Sequence, residues 1–358
     1  MLSRREFLRL SAIYTVSTIV AACSPQSVPT IAPPTSMPTT TTVPTIVSPT
    51  LIPTATTAPA ATVPPIAAST STVVAKATMT ATPVPPSAGE PYLVVARGTT
   101  PGAIVRAAVD ALGGIRKFVK AGNDVILKPN ICNAQNTFEY ASTTNPEVMA
   151  ELVKLCLEAG AKRVRVMDQP FSGTANIAYQ RSGIKDAVEK VGGVMEIMTN
   201  AKYVSVDFPN GRDLKSSKVY QDILKADVVI NVPIAKHHGS AQVTLAMKAM
   251  MGVIQDRNDI HTALDQRIAD LNTLLKPTLH IIDAIRVLTK NGPTGGSLDY
   301  VMQANTIIAT VDPVAADAYT TQLFFKKKPE QIGHIKYGAA MGLGRFDFQN
   351  LRVKEVAA

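Results

Sequence analysis

One segment of the chain gathers side chains that can move protons or hold anions. Between Asn231 and His261 lie three of the five histidines, His237, His238 and His261, together with Lys236, Thr244 and Lys248. Imidazole is the side chain best matched to proton transfer near neutral pH, and it is the commonest metal ligand. A lysine amine holds an anion as a point charge or, once burial lowers its pKa, acts as base or nucleophile. The run 243–254 reads as a helix, apolar at Leu245, Met247, Met250, Met251 and Val253. On it Thr244, Lys248 and Gly252, with Gln255 just beyond, fall on one narrow stripe, because successive helical residues turn by about 100°. A helix so apolar elsewhere is largely buried, and its stripe faces either a pocket or a slit of solvent. Lys248, His238 and His261 are accordingly the candidate catalytic residues. The plainer alternative for Lys248 is a side chain that lays its stem on apolar neighbours and reaches water. Adjacent imidazoles seldom point the same way, so one ring of the His237, His238 pair belongs to the site and the other elsewhere. His261 and His237 are the candidate ligands for a divalent metal. His280, in an apolar run, and His334 read as structural, and the methionines as core filling.

Such groups need a scaffold to hold them. Short β-rich runs occur at 92–96, 124–127, 163–167, 228–232, 279–282 and 306–311, with helical patterns at 104–119, 146–157, 215–225 and 261–276. This alternation predicts an α/β fold with a mostly parallel sheet covered by helices. Antiparallel elements, or a smaller second lobe, draw on 195–208 and 289–304. In parallel sheets ligands bind beyond the carboxyl ends of the strands. The residues found there are Lys128 and Asn130, Asp168, Asn231 leading to Lys236, Asp283, and Asp312 before Pro313. Lys128, Asn130, Asp168, Lys236 and Thr244 are the candidate substrate-binding residues. The competing reading is of caps and turns, and Asp312 before Pro313 suits a helix N-cap. A cap has no use for Lys128, which is either a site residue or a solvated strand end. Residues 292–296, Gly-Pro-Thr-Gly-Gly, fit an anion-binding nest or an ordinary turn.

The 358 residues carry 36 Lys+Arg against 27 Asp+Glu, with 46% apolar residues, three cysteines and no tryptophan. Three cysteines exclude a disulfide-stapled scaffold and fall short of the four ligands of an ordinary iron–sulfur cluster. The absence of tryptophan disfavours stacking platforms for sugars or single-stranded nucleic acid. Residues 1–23 read as an export signal. Arg4 and Arg5, followed by Phe7 and Leu8, resemble the twin-arginine signal. Val20-Ala21-Ala22-Cys23 resembles a bacterial lipobox in which Cys23 is lipidated, an ordinary secretory signal being the plainer reading. Residues 24–88 contain 14 Pro, 17 Thr and 7 Ser and no glycine, the composition of an extended, disordered stalk. Residues 89–358 form the globular body. No basic run in it exceeds 326–328, so no nucleic-acid partner is expected, and its mild positive balance suits a small anionic ligand. These features predict a protein passed through the twin-arginine export machinery and lipid-anchored to the outer face of the bacterial cytoplasmic membrane.

The stretches Val229-Ile230-Asn231-Val232-Pro233, Val243-Thr244-Leu245-Ala246-Met247-Lys248, Met250-Met251-Gly252 and His261 resemble the domain-of-unknown-function 362 family. So do Lys128-Pro129-Asn130, Gly292-Pro293 and Asp312-Pro313-Val314-Ala315-Ala316-Asp317. The resemblance spans about 92–342 and implies no settled activity. Many members carry attached ferredoxin-like clusters, but this body has only Cys132 and Cys156, the latter mid-helix, so no iron–sulfur cluster is expected. The order His238, Gly239, Lys248, Gly252, His261 is similar to the nickel-pincer lactate racemase family, without its double glycine before the lysine. That similarity implies a cofactor tethered to Lys248, His261 as metal ligand and His238 as acid or base. Three functions stay open. One is an enzyme with a Lys/His acid–base or metal-assisted site acting on a small anionic substrate. The others are an anion- or solute-binding lipoprotein without catalysis, and the electron-transfer accessory that cluster-bearing relatives suggest.

Overall fold

The structure, a computed structural model, describes residues 89–358. The export signal, Cys23 and the stalk lie outside the described residues. Within them the apolar runs build strands β1 (Leu93–Arg97), β2 (Asp124–Pro129), β3 (Arg163–Val166), β4 (Val194–Met195), β5 (Tyr203–Asp207) and β6 (Ser216–Tyr220). There follow β7 (Val228–Val232), β8 (Ile234–His238), β9 (Gln242–Thr244), β10 (Leu279–Leu288), β11 (Val301–Thr310) and β12 (Val353–Ala357). The main sheet runs β12-β1-β11-β10-β7-β2-β3-β4, with β8 also beside β10 and β9 folded back on β8. From β10 through β7, β2 and β3 to β4 every pairing is parallel, while β11 is antiparallel to both its neighbours. This is the mostly parallel α/β architecture that the sequence predicts.

Both faces of the sheet are buried, and strand alternation shows how. Val94, Val125, Leu127, Val228 and Ile230 point into one apolar layer, which holds residues of the helices Pro101–Ala111 and Pro146–Glu158. Leu93, Val95, Ile126 and Val229 point into the other, with the helices Leu264–Leu274, Pro313–Thr320 and Gly333–Ala340. Phe208, Val219 and Tyr220 of the β5–β6 hairpin belong to this second layer. The antiparallel elements expected near 195–208 therefore share the main core, and those near 289–304 belong to the β10–β11 hairpin. Asp312 is the N-cap of Pro313–Thr320, its carboxylate accepting from the Ala315 N–H at 2.8 Å. No helix among the described residues is long and apolar enough to cross a membrane.

Two expected helices are corrected. Within 215–225, Ser216–Tyr220 is β6 and only Gln221–Lys225 is helical, because Tyr220 pairs with Tyr203 across the hairpin. Within 243–254, Val243 and Thr244 end β9, since Thr244 pairs with Lys236 and Val243 with His237 on β8. Leu245 is extended, the helix is confined to Ala246–Ala249, and a 3-10 turn, Met250–Val253, follows it.

The amino-terminal edge of the sheet is tied together by charge. Arg165, 4% exposed, pairs with Asp124, Glu196 and Asp222. Burial alone would raise both aspartates. Hydrogen bonds from Arg163 and Arg165 nevertheless hold Asp124 below the usual carboxylate range, and those from Lys202 and Arg165 do the same for Asp222. A lowered folded-state pKa stabilises the protein above the unfolded value of about 4, and that contribution disappears as pH falls through the folded value. Arg165→Met leaves three carboxylates without their shared cation. Urea unfolding at neutral pH is expected to show a loss of about 3 kcal/mol, with the gap to wild type narrowing below about pH 4.

Candidate functional site

The lysine of interest rides on Ala246–Ala249, a helix of four residues and too short to hold its own shape. Three buried side chains fix it in place. Asp317, on the helix Pro313–Thr320, accepts from the Ala246 N–H at 2.6 Å and the Met247 N–H at 3.0 Å. Asn231 of β7 donates to the Ala246 carbonyl at 2.8 Å, and Asn272 of Leu264–Leu274 donates to the Met247 carbonyl at 3.1 Å. Burial pushes the Asp317 carboxyl up to about 8, against the two amides that favour its charge. Strand alternation explains why Asn231 is available. Ile230 faces the opposite layer, and Asn231 stands in register with Lys128 on β2 and His280 on β10. The His280 Nδ1 accepts from the Asn231 amide at 3.3 Å, a buried packing role.

Beyond the carboxyl ends of β2 and β3, and along β8, lies a cavity of about 340 Å³. Lys248, His238, His261, Asn130, Asp168, Lys236 and Thr244 line it, as do Gly252 and Gln255. The polar stripe thus shares one cavity even though a strand, a helical turn and a 3-10 turn carry it in place of one helix. Lys248 is 9% exposed and makes no ion pair among the described residues. Burial lowers its pKa to about 7, with the positive charge of Lys236 next in weight. Lys236 donates to the Ser142 carbonyl at 2.8 Å and the Pro293 carbonyl at 3.2 Å, which leaves one ammonium proton. Arg257 donates to the carbonyls of Gln169 and Pro170. The buried Thr244 Oγ1 and Asn130 Oδ1 have no partner in the protein. The cavity thus brings together Lys236, Arg257, a partly protonated Lys248 and two unused oxygens.

The two imidazoles are held in opposite hydrogen-bonding states. His238 Nδ1 accepts from the Ala241 N–H at 3.1 Å. Burial, then the charges of Lys248 and Lys236, lowers its pKa to about 3. The neutral ring therefore carries its proton on Nε2, as a donor. His261 Nδ1 lies 2.7 Å from the Arg257 carbonyl oxygen, which can only accept. When neutral, its Nε2 keeps a lone pair. One ring gives a hydrogen bond and the other takes a proton.

Lys128 and His237 do not line the cavity. Lys128 is fully buried and pairs with Asp168 at 2.8 Å, while the other oxygen of Asp168 accepts from the Ile131 N–H at 2.7 Å. Burial lowers the Lys128 pKa, opposed by Asp168. Its amine holds Asp168 and is corrected from a ligand contact to a support. A Cβ at Gly252 would collide with the Asp168 carboxylate and lie 2.7 Å from the Lys128 amine. Only glycine lets the backbone pass so close to that pair. Along β8, alternation sends Lys236 and His238 to the cavity and His237 to the other face, where its Nδ1 accepts from the Gly292 N–H at 3.1 Å. His237 is thereby corrected as a metal ligand. Asp283, the remaining strand-end acid, accepts from the N–H groups of Asn145 and Ile285 inside the fold.

Among the described residues, no group of three or more His, Cys, Asp or Glu is placed to hold a metal. His261 offers one lone pair, so a divalent metal held by protein ligands alone does not fit. A tethered group would find the Lys248 amine free. Sequence reasoning missed Arg257 and Cys132, which also line the cavity. Asp256 is an N-cap, accepting from the N–H groups of Asn258 and Asp259, and recognising it would have placed Arg257 at a helix start beside the site. Cys132 follows Asn130 in the same strand-end loop, and its thiol donates to the Pro293 carbonyl.

Fold and site define an α/β protein with a cationic cavity at the carboxyl edge of its parallel strands. The chain belongs to the family described as Domain of unknown function (DUF362), whose profile matches residues 125–322. A thylakoid-associated protein of Synechocystis sp. is 27% identical over 230 residues, which cover 62% of this chain and 69% of that one. The lactate racemase apoprotein from Thermoanaerobacterium thermosaccharolyticum superposes with a TM-score of 0.42 at 10% identity. That match covers 67% of this chain and spans 57% of the racemase chain.

The triple anchorage of the short helix is testable. Asp317→Asn keeps one acceptor for two amides and turns an NH2 group against the other. The variant is expected to lose roughly 1–3 kcal/mol in chemical denaturation, whereas Asp299→Asn on an exposed turn should match wild type within about 0.5 kcal/mol.

Proposed function

We propose that the body is an enzyme that draws a small anion into the cavity and transfers a proton to or from it. The observation that carries this reading is the placement of an unpaired amine in one cavity with two imidazoles of opposite hydrogen-bonding state. The anion is held by the remaining Lys236 proton, the Arg257 charge and the protonated fraction of Lys248. The Thr244 hydroxyl donates to an oxygen of the anion, and Asn130 Oδ1 accepts from a hydroxyl where the substrate carries one. His261 Nε2 takes a proton from the substrate, and the neutral His238 Nε2–H stabilises the negative oxygen that develops as it leaves. The buried Lys236 and His238 are oriented by the Ser142 and Pro293 carbonyls and by the Ala241 N–H before the substrate arrives, while the exposed His261 is oriented by the Arg257 carbonyl.

The same reading extends to the whole chain as an exported, membrane-tethered protein. It draws on Arg4, Arg5 and Cys23 in the signal, on the Pro/Thr/Ser-rich stalk, and on the thylakoid association stated for the Synechocystis relative. Cys23→Ser is expected to shift the protein from the membrane to the soluble fraction of cells that express it. Retention in the membrane would overturn the lipid anchor.

Anion binding should follow the charge of Lys248. Calorimetry with oxalate is expected to show binding that weakens as pH rises through about 7, where the amine loses its proton. Lys248→Ala should weaken the binding and remove its dependence on pH near 7. In heavy water, small carboxylates bearing a hydrogen next to the carboxylate carbon should exchange it for deuterium. His261→Gln should slow that exchange by about 100-fold or more. An unchanged exchange rate in this variant would refute the assignment of His261 as base.

A further inference from the structure

Three lysines are buried at the site, and they meet different fates. Lys128 is 0% exposed and paired with Asp168, and Lys236 is 2% exposed and bonded to two carbonyls. Lys248, at 9%, has neither an acid nor a carbonyl partner. A buried ammonium without a partner is costly. The protein has spent no side chain on neutralising this one, and it still directs the residue into a cavity. A helix pinned by Asp317, Asn231 and Asn272 to present an unsatisfied amine is the arrangement expected of a nucleophile.

We propose that Lys248 forms an imine with small 2-oxo acids, its nitrogen attacking the carbonyl carbon next to the carboxylate. This names the substrate class of the anion site proposed above and rests on that reading. The nitrogen lone pair forms the C–N bond while the carbonyl π pair moves to oxygen, giving a carbinolamine. The oxygen then leaves as water and takes both amine protons with it. The net change is a condensation that needs no oxidant or reductant. The carboxylate lies against Lys236, and His238 Nε2–H supports the departing oxygen. Where the oxo acid has a hydrogen on its other carbon, the imine draws electrons from that C–H bond, and His261 Nε2 accepts the proton. A cavity of about 340 Å³ suits molecules of this size.

The test is reductive trapping on the wild-type protein with glyoxylate and cyanoborohydride, which turns the imine into a stable carboxymethyl amine. Peptide mapping should find Lys248 labelled at least about tenfold faster than the other lysines of the same digest. The labelling rate should rise with pH around a midpoint near 7, and oxalate should suppress it. Lys248 labelled no faster than surface lysines would overturn the proposal. If oxalate still binds in calorimetry, the anion site survives and only the imine falls. If oxalate does not bind either, both readings fall together.

Discussion

A helical turn that cannot hold its own shape governs the chemistry of this fold. Ala246–Ala249 exposes two amide donors at its start and two carbonyls along its length, all inside the protein. Water cannot satisfy them there, so side chains must. Asp317 takes both donors, and Asn231 and Asn272 take the carbonyls. Each comes from a different part of the chain, and together they leave the turn one position. Lys248 inherits that rigidity, and so does the direction in which its amine points.

The sheet below repeats the same logic. Lys128, Asn231 and His280 occupy adjacent register positions on β2, β7 and β10, a polar row across the sheet. All three are supports. Lys128 holds Asp168, Asn231 holds the helical turn, and His280 accepts from Asn231. The strands thus end in a supporting layer, and the cavity groups stand on top of it. Gly252 is part of this layering, because any side chain there would strike the Lys128–Asp168 pair.

Much of the fold is legible in the sequence, and the site partly so. Apolar runs such as Val125-Ile126-Leu127 mark strands, and the polar residues after them mark the ligand edge. Alternation along 236–238 already requires that one histidine of the pair turn away. Local apolarity alone favours an unbroken helix across 243–254, while the determinants of its break are distant. Thr244 is drawn into the sheet by Lys236, and the turn that follows is fixed by Asp317, some seventy residues later in the chain. Periodicity reports only neighbours within a few turns, so it cannot register either influence. Arg257 is half legible, since the Asp256 cap marks the helix start in the sequence while its orientation depends on the distant backbone of Gln169 and Pro170.

The amine of Lys248, held without a partner inside a cationic cavity, is the feature from which the proposed chemistry follows. Its ionisation can be read directly by carbon NMR titration of lysine-labelled protein, with the resonance assigned by its disappearance in Lys248→Arg. A midpoint near 7 is predicted, from burial reinforced by Lys236. A midpoint at the ordinary lysine value of 10.5 would mean a solvated or paired ammonium, and would contradict the site as described.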